Sequence, residues 1–333
     1  MDSFLDLFLT GDAPALIVVS LLIGVVIGLT GMGGGALMTP ALIAFGIPPT
    51  VAVANDLVVN AVNKVVGGAI HMRHGKPDLK IAMWLIIGSV PTALAGAWIV
   101  QSLGGDDAEI QETLKNVIGV TLLLAATTYV VRIVLAARQK DNPVARTSSG
   151  MARPVPTIIV GLIAGLLVGV TSVGSGTVVM MCLMLLYPAL SALRLVGTDL
   201  VQAIPLVIAA AVGHIIVSGV DMGLIAPLIL GGTIGTAIGS RLAGKVPGAV
   251  VRTGLVSVLL ISGLAMLGLG NTGVLVLAVV GLVAVVVSGM RERRERLRQE
   301  AAEAAEAESE EADEEEADEE EAEISVDGDA KIS

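Results

Sequence analysis

The sequence predicts an all-α polytopic membrane protein made of two inverted repeats with Gly-rich broken or re-entrant helices. Three observations lead there: composition, a series of long apolar runs, and an internal repeat that aligns rare polar residues inside those runs. Of 333 residues, 54% are hydrophobic and only 15% charged, and the mean hydropathy is +0.85. A soluble domain of this length needs far more polar surface, whereas long apolar runs with few charges mark spanning helices. Forty glycines fit the same class, because small residues let helices approach closely in lipid.

The apolar runs of the first half are 15–30, 35–46, 51–73, 79–102 and 113–137. Those of the second half are 155–171, 175–188, 196–217, 222–243 and 250–269, and a last run covers 273–289. Residues 1–137 therefore form a first transmembrane repeat, 138–153 a polar cytoplasmic linker and 154–270 a second repeat. Residues 271–290 form a final transmembrane helix, and 291–333 a basic, then acidic, disordered cytoplasmic tail. Two runs are short: 35–46 would reach roughly 18 Å and 175–188 roughly 21 Å as helices, against a hydrocarbon core of about 30 Å. Each follows a Gly-rich turn after another shortish run, the pattern of a hairpin whose tip stops inside the membrane.

Charge is divided unevenly. Residues 291–333 hold nineteen acids and six bases, while the other 290 residues hold twelve acids and fourteen bases. The net charge of −11 therefore belongs to the tail, whose run EAAEAESEEADEEEADEEEAE repels itself and has almost nothing to bury. It reads either as a partner-binding tail or as a solvated extension. Basic residues set the orientation. Arg73, Lys76 and Lys80, the linker, Arg194, the group Arg241, Lys245 and Arg252, and the cluster Arg291 to Arg298 all fall on one side when the short pairs return or cross twice. Asp106, Asp107, Glu109 and Glu112 fall on the other, as does the Ser218–Asp221 loop. The expectation is a multi-pass cell-membrane protein with its N-terminus outside and its C-terminus cytoplasmic. Asp2, Asp6 and Asp12 without any Lys or Arg do not make a secretory signal, so the first apolar run reads as retained. The one cysteine, Cys182, can form no disulfide within the chain or thiolate cluster and reads as a small hydrophobe.

The halves repeat. GLTGMGGG at 28–35 aligns with GVTSVGSG at 169–176, an offset of 141. Beyond a two-residue loop difference, Asp56 meets Asp199, His71 meets His214, Asp78 meets Asp221, Gly88 meets Gly231 and Gly96 meets Gly239. The orientation puts the His71–Asp78 loop inside and the His214–Asp221 loop outside, so the repeats are inverted. Inverted repeats with interrupted helices are a transporter architecture, with the site near the midplane between repeats.

Candidate site residues follow from the repeat. Gly33, Gly34 and Gly35 precede one short helix, and Gly174, Ser175, Gly176 and Thr177 the other; Thr30, Thr171 and Ser172 end the helices before them. Glycines free the backbone to turn, and a helix N-terminus offers unsatisfied donors to an anion. The alternative is tight packing through small residues. Asp56, Asn60, Asn63 and Lys64 fall at i, i+4, i+7 and i+8, one helix face. Intramembrane charges are costly and usually functional. Lys64 reads either as counter-charge for an anion or as the partner of Asp56 or Asp199, and each aspartate either couples transport or caps its helix. His71 and His214 either titrate in coupling or gating, or bond backbone at the interface. No HExxH, CxxC, GxSxG or P-loop pattern supports an intramembrane enzyme or an ATP-driven pump, and neither a catalytic residue, a metal nor a cofactor is expected.

At these residues the chain resembles the TauE/SafE family of sulfite exporter-like membrane proteins. The resemblance rests on GLTGMGGGALMTPAL at 28–42, AVANDL at 52–57 and GGAIHMRHGKPDLKIAMWLIIGS at 67–89. The second copy contributes GVTSVGSG, GTDL at 197–200 and GHIIVSGVDMGLIAPLILGG at 213–232, so that roughly 14–270 is covered. It implies transport of sulfur-containing or organic anions such as sulfite or sulfonates. The family carries a Thr-Ser pair where this chain has Asn55-Asp56 and, in the second copy, Thr198-Asp199; the acids offer a place for a coupling cation. The resulting expectation is a secondary transporter of small anions, with a passive anion channel or a cation-coupled carrier of another solute as alternatives. Expected partners are the anion, the bilayer and a coupling proton or cation, and no nucleic acid; the sequence leaves the oligomeric state open.

Overall fold

The computed structural model describes residues 13–291 apart from 31–34, 72–76, 103–106, 141–152, 189, 191, 243–244 and 271, together with a few positions up to 298. The regular structure among them is helical. The first half supplies α1 (Ala13–Thr30), α2 (Gly35–Ala44), α3 (Pro49–His71), α4 (Leu79–Gln101) and α5 (Asp107–Lys140). The second supplies α6 (Pro154–Thr171), α7 (Val178–Leu186), α8 (Ala192–Val217), α9 (Met222–Leu242) and α10 (Gly248–Met266). A last helix, α11, covers Thr272–Arg291. Most of the expected linker, and the tail beyond its first residues, lie outside the described residues.

Among the described residues, seven helices are long and apolar enough to cross a membrane: α4, α5, α6, α8, α9, α10 and α11. At 23 residues α3 is as long as α4 but carries Asp56, Asn60, Asn63 and Lys64. The helices α2 and α7 have 10 and nine residues, roughly 15 Å and 14 Å, about half a bilayer core. The Tyr187 hydroxyl, just past α7, lies 2.6 Å from Thr157 Oγ1 and accepts from the Arg153 N–H at 2.9 Å, at the start of α6. The chain therefore climbs α6, turns at residues 172–177 and comes back down α7 toward the face it left.

Glycine decides which helices pair. Helix α1 packs along α9, and α6 along α4. A methyl on Gly24 would meet the Gly232 carbonyl, and one on Gly28 would meet that of Thr236. Gly231, Gly235 and Gly239 of α9 lie in turn against the Ile17, Leu21 and Val25 carbonyls of α1. The other pair repeats this with Gly165 and Gly169 against Ser89, Ala93 and Gly96, and Gly88 against Ile158. No side chain fits between the backbones at these points, so the two axes approach as only small residues allow. In both pairs residue numbers rise together, so α1 runs parallel to α9 and α6 parallel to α4.

Two end contacts exchange in the same way. The Thr198 hydroxyl accepts from the Asp78 N–H at 2.8 Å, and the Asn55 side-chain oxygen accepts from the Asp221 N–H at 3.0 Å. Each aspartate opens a helix: Asp78 Oδ1 accepts from the Lys80 and Ile81 amides, and Asp221 Oδ1 from that of Gly223. Helix α8 runs parallel to α4, since Thr198 meets Asp78 and Gly213 meets Leu94. Helix α3 likewise runs parallel to α9, since Asn55 meets Asp221 and Asn63 meets Thr233. At the middle α3 packs on α8, carrying the buried polar residues Asn55, Asp56, Asn60, Thr198, Asp199 and Gln202.

One expectation is corrected. Asp56 and Asp199 do not cap their helices, because α3 begins at Pro49 and α8 at Ala192, seven residues earlier in each case. Both aspartates lie in helix interiors, where no free backbone N–H waits for them.

Candidate functional site

The glycine-rich turn of the second half ends α6 in a left-handed residue, Ser172 (φ 61°), whose N–H bonds the Val168 carbonyl at 2.8 Å. Gly174 (φ 116°) and Gly176 (φ 99°) then take conformations that L side chains avoid. This sharp path delivers Thr177 to the N-cap of α7. Thr177 is 3% exposed and its hydroxyl has no hydrogen-bond partner among the described residues. Its side chain does not cap the helix either; the Val178 N–H bonds the Gly174 carbonyl at 3.3 Å, and the next amides of α7 receive no side-chain cap from Thr177. Thr171 turns inward on its own chain, donating to the Leu167 carbonyl at 2.6 Å and accepting from the Val173 N–H at 3.2 Å. Ser175 is half-buried.

The two tips meet. Gly35, first residue of α2, lies so close to Ser172 that a methyl there would fall on the Ser172 carbonyl and hydroxyl. Gly33 and Gly34 lie outside the described residues, and Thr30 bonds back to the Val26 and Ile27 carbonyls at 2.8 and 3.2 Å. Beside this crossing stands α3. Thr39 of α2 donates its hydroxyl to Asp56 Oδ2. Asn60 donates to Asp56 Oδ1 at 3.0 Å and reaches Ser172 Oγ at 3.4 Å, linking the halves. One turn on, Asn63 accepts from the Thr233 hydroxyl of α9 at 3.0 Å.

Lys64, half-buried, interacts electrostatically with Asp199 of α8, and Asp199 also accepts from the Gln202 amide at 3.0 Å. The histidines part company. His214 is buried on α8, with Nε2 2.8 Å from the Gly169 carbonyl and Nδ1 without a partner among the described residues. His71 is the last residue of α3, and its side chain lies outside the described set.

Of the expected residues, the fold thus gathers Gly35, Asp56 and Asn60 with the second tip, and places Lys64 with Asp199. Thr30 and Thr171 satisfy themselves locally. Thr39 and Ser172 complete the crossing. The repeat alignment offers no sign of Thr39, because its counterpart is Met180, and its contact joins two separate helices.

The same stretch, residues 16–266, matches the family described as Sulfite exporter TauE/SafE. The chain belongs to the TauE/SafE family. Its TauE/SafE region is similar to the "Probable membrane transporter protein YjnA" of Bacillus subtilis (strain 168), 34% identical over 253 residues, which cover 76% of this chain and 99% of that protein. YdhB of the same organism, also described as a probable membrane transporter protein, is 27% identical over 255 residues, 76% of this chain and 99% of its own length. A third relative, MJ0441 of Methanocaldococcus jannaschii, is 30% identical over 173 residues, 50% of this chain and 59% of that protein. No solved structure matches. The TauE/SafE match ends with α10, so α11 and the acidic tail stand outside it.

Proposed function

We propose that this protein is a secondary transporter of small anions, sulfur-containing oxyanions or organosulfonates, coupled to a cation or proton gradient. One observation carries the anion reading: the start of α7, where the buried Thr177 hydroxyl has no partner among the described residues and two left-handed glycines expose the backbone. Helix N-termini carry free donors and partial positive charge, and an unpaired buried hydroxyl is costly unless a ligand satisfies it. Thr30, Gly33, Gly34, Gly35, Asn60, Lys64, Thr171, Gly174, Ser175 and Gly176 complete the proposed binding region around the crossing. Asp56, Asp199, His71 and His214 are proposed to serve coupling or gating. The sulfur class is supported by the family description, and transport by the names of the relatives.

The repeats are inverted in this reading. Helix α4 runs with α8, and α9 with α3, while the consecutive spans α8 and α9 must cross in opposite senses. The equivalent helices α4 and α9 then oppose each other, as an axis in the membrane plane requires. The face where α4, α6, α8 and α10 begin carries Lys80, Arg153, Arg194 and Arg252. The opposite face carries Asp107, Glu109 and Asp221. The rule that basic loops stay inside places the first face in the cytoplasm.

The test is uptake and efflux by purified protein in vesicles, with sulfite, thiosulfate, sulfate and a small sulfonate as probes. Saturable flux of at least one is expected. Thr177→Val keeps the shape and removes the hydroxyl. It should weaken affinity about fivefold to tenfold, the worth of one hydrogen bond of about 1–1.4 kcal/mol, while thermal stability stays equal or rises. Unchanged affinity in Thr177→Val removes that hydroxyl from the site; no saturable flux of any probe overturns the reading, and single-channel conductance replaces it with a passive channel.

A further inference from the structure

The internal repeat places Asp56 and Asp199 at equivalent positions, both buried, on helices that pack against each other. Their surroundings differ. Asp199 has a cation, Lys64, and the Gln202 amide. Asp56 has neutral neighbours: the Thr39 hydroxyl on one carboxylate oxygen, the Asn60 amide on the other, and Ser172 beyond Asn60. Among the described residues no lysine or arginine forms an ion pair with it; the pair Arg194–Asp78 lies at the helix ends.

Charge balance then decides. Asp56, Asp199 and Lys64 together leave the interior one negative charge in excess. A buried carboxylate without a counter-charge is costly, and an anion brought beside it is repelled most strongly where water is scarce. One added positive charge removes both difficulties. The surroundings of Asp56 suit it: two carboxylate oxygens and the Thr39 and Ser172 hydroxyls are the anionic and neutral oxygen donors that hard cations take, while the Asn60 amide N–H holds one carboxylate oxygen in place. These groups come from α2, α3 and the second tip, so a bound cation would tie both halves together at the point where the anion is proposed to sit. The second copy lacks the set, with Met180, Ala203 and Val207 in place of Thr39, Asn60 and Lys64.

We infer that Asp56, and not its counterpart Asp199, binds the monovalent cation that enters with the anion, while the charge of Lys64 on α3 offsets that of Asp199 on α8. The inference rests on the transport reading for its role but not for the site itself. A sodium ion and a proton supply the same charge, and the experiment separates them. The other titratable or charged groups on elements packed against α3, among the residues whose side chains are described, are Arg194, Asp199 and His214 on α8, Asp221 at the start and Arg241 at the end of α9, and Asp107, Glu109, Glu112 and Lys115 early in α5; α2 and the α6 tip bring hydroxyls only.

The test measures thermal unfolding of the purified full chain, without any anion, against sodium chloride replacing choline chloride at fixed pH, and against pH at fixed sodium. A ligand bound by the folded state raises the melting temperature in proportion to the logarithm of its concentration. Wild type should rise with sodium or with falling pH, naming the cation, and Asp56→Asn should lose that rise. Asp199→Asn should keep it at a lower starting temperature. Should Asp56→Asn fail to insert, Thr39→Val shifts the midpoint of the dependence to higher cation concentration. A dependence that survives in Asp56→Asn, or no dependence on either cation in wild type, overturns the assignment. In vesicles, sulfite accumulation driven by the same gradient should be lost in Asp56→Asn. Wild type that shows the cation-dependent melting but moves no probe would sink the transport reading and leave the cation site standing.

Discussion

Lys64 shows how far a single residue can be read. Its place on one face with Asp56, Asn60 and Asn63 is legible from spacing, since residues at i, i+4, i+7 and i+8 must align on a helix. Which acid it serves is not, because Asp56 and Asp199 lie at equal depth in their repeats and only packing chooses between them. Of the two acids, Asp199 is the one whose charge acts on Lys64. Lys64→Met should therefore destabilise by about 2 kcal/mol, below the roughly 3–5 kcal/mol of a fully buried pair because Lys64 is half-buried. Adding Asp199→Asn should restore much of that loss, because the stranded carboxylate is then gone. Unfolding of the single and double variants in detergent checks this, and strict additivity would refute the pair. Thr39 was invisible for a physical reason: it acts across a junction between elements, and no periodicity within one helix records such a contact; Ser172 was legible as a helix end but not as a partner of Asn60.

At the scale of elements, the lengths and order of the helices were legible, since hydropathy and glycine punctuation mark them. The partners were not. Gly28 and Gly169 align in the repeat, but nothing in the local sequence says that the first abuts Thr236 and the second Ala93. The seams are backbone against backbone, so they predict equal behaviour at equivalent positions. Gly28→Leu and Gly169→Leu should each lower stability by at least about 1–3 kcal/mol, the usual cost of overpacking. Gly270→Ala, where an added methyl meets nothing within 4 Å, should be neutral. Melting temperatures of the three variants test the seams; a tolerated Gly169→Leu would mean that α4 and α6 are not in contact there.

For the whole molecule, the proposed inversion fixes which loops meet which compartment. In a Cys182→Ala background, a cysteine at Val220 or Ser102 should react with an impermeant maleimide on intact cells. A cysteine at Lys245 should react only after permeabilisation. Labelling of Val220 and Lys245 from one side would return the repeats to parallel topology. The basic residues carried this prediction in the sequence, and the direction of the helices now supports it independently, since α8 begins beside Asp78 at the start of α4. The placement of α11 was also legible, though not its isolation: only 6% of its apolar window is buried against the described residues.

The exchanged pairing of α1 with α9 and of α4 with α6 has a consequence for biosynthesis. A ribosome releases the first half before the second exists, so the bare seams of α1 and α4 must wait in the bilayer for partners translated some 60 to 200 residues later. Neither half can finish folding alone, and a chaperone or a membrane protease would meet the first half as an orphan. Expressed as two separate polypeptides cut within residues 141–152, the halves should each be degraded rapidly on their own and be rescued together. Pulse-chase half-lives of each fragment, alone and co-expressed, measure this; a first half that persists unaided would show that its seams find other cover.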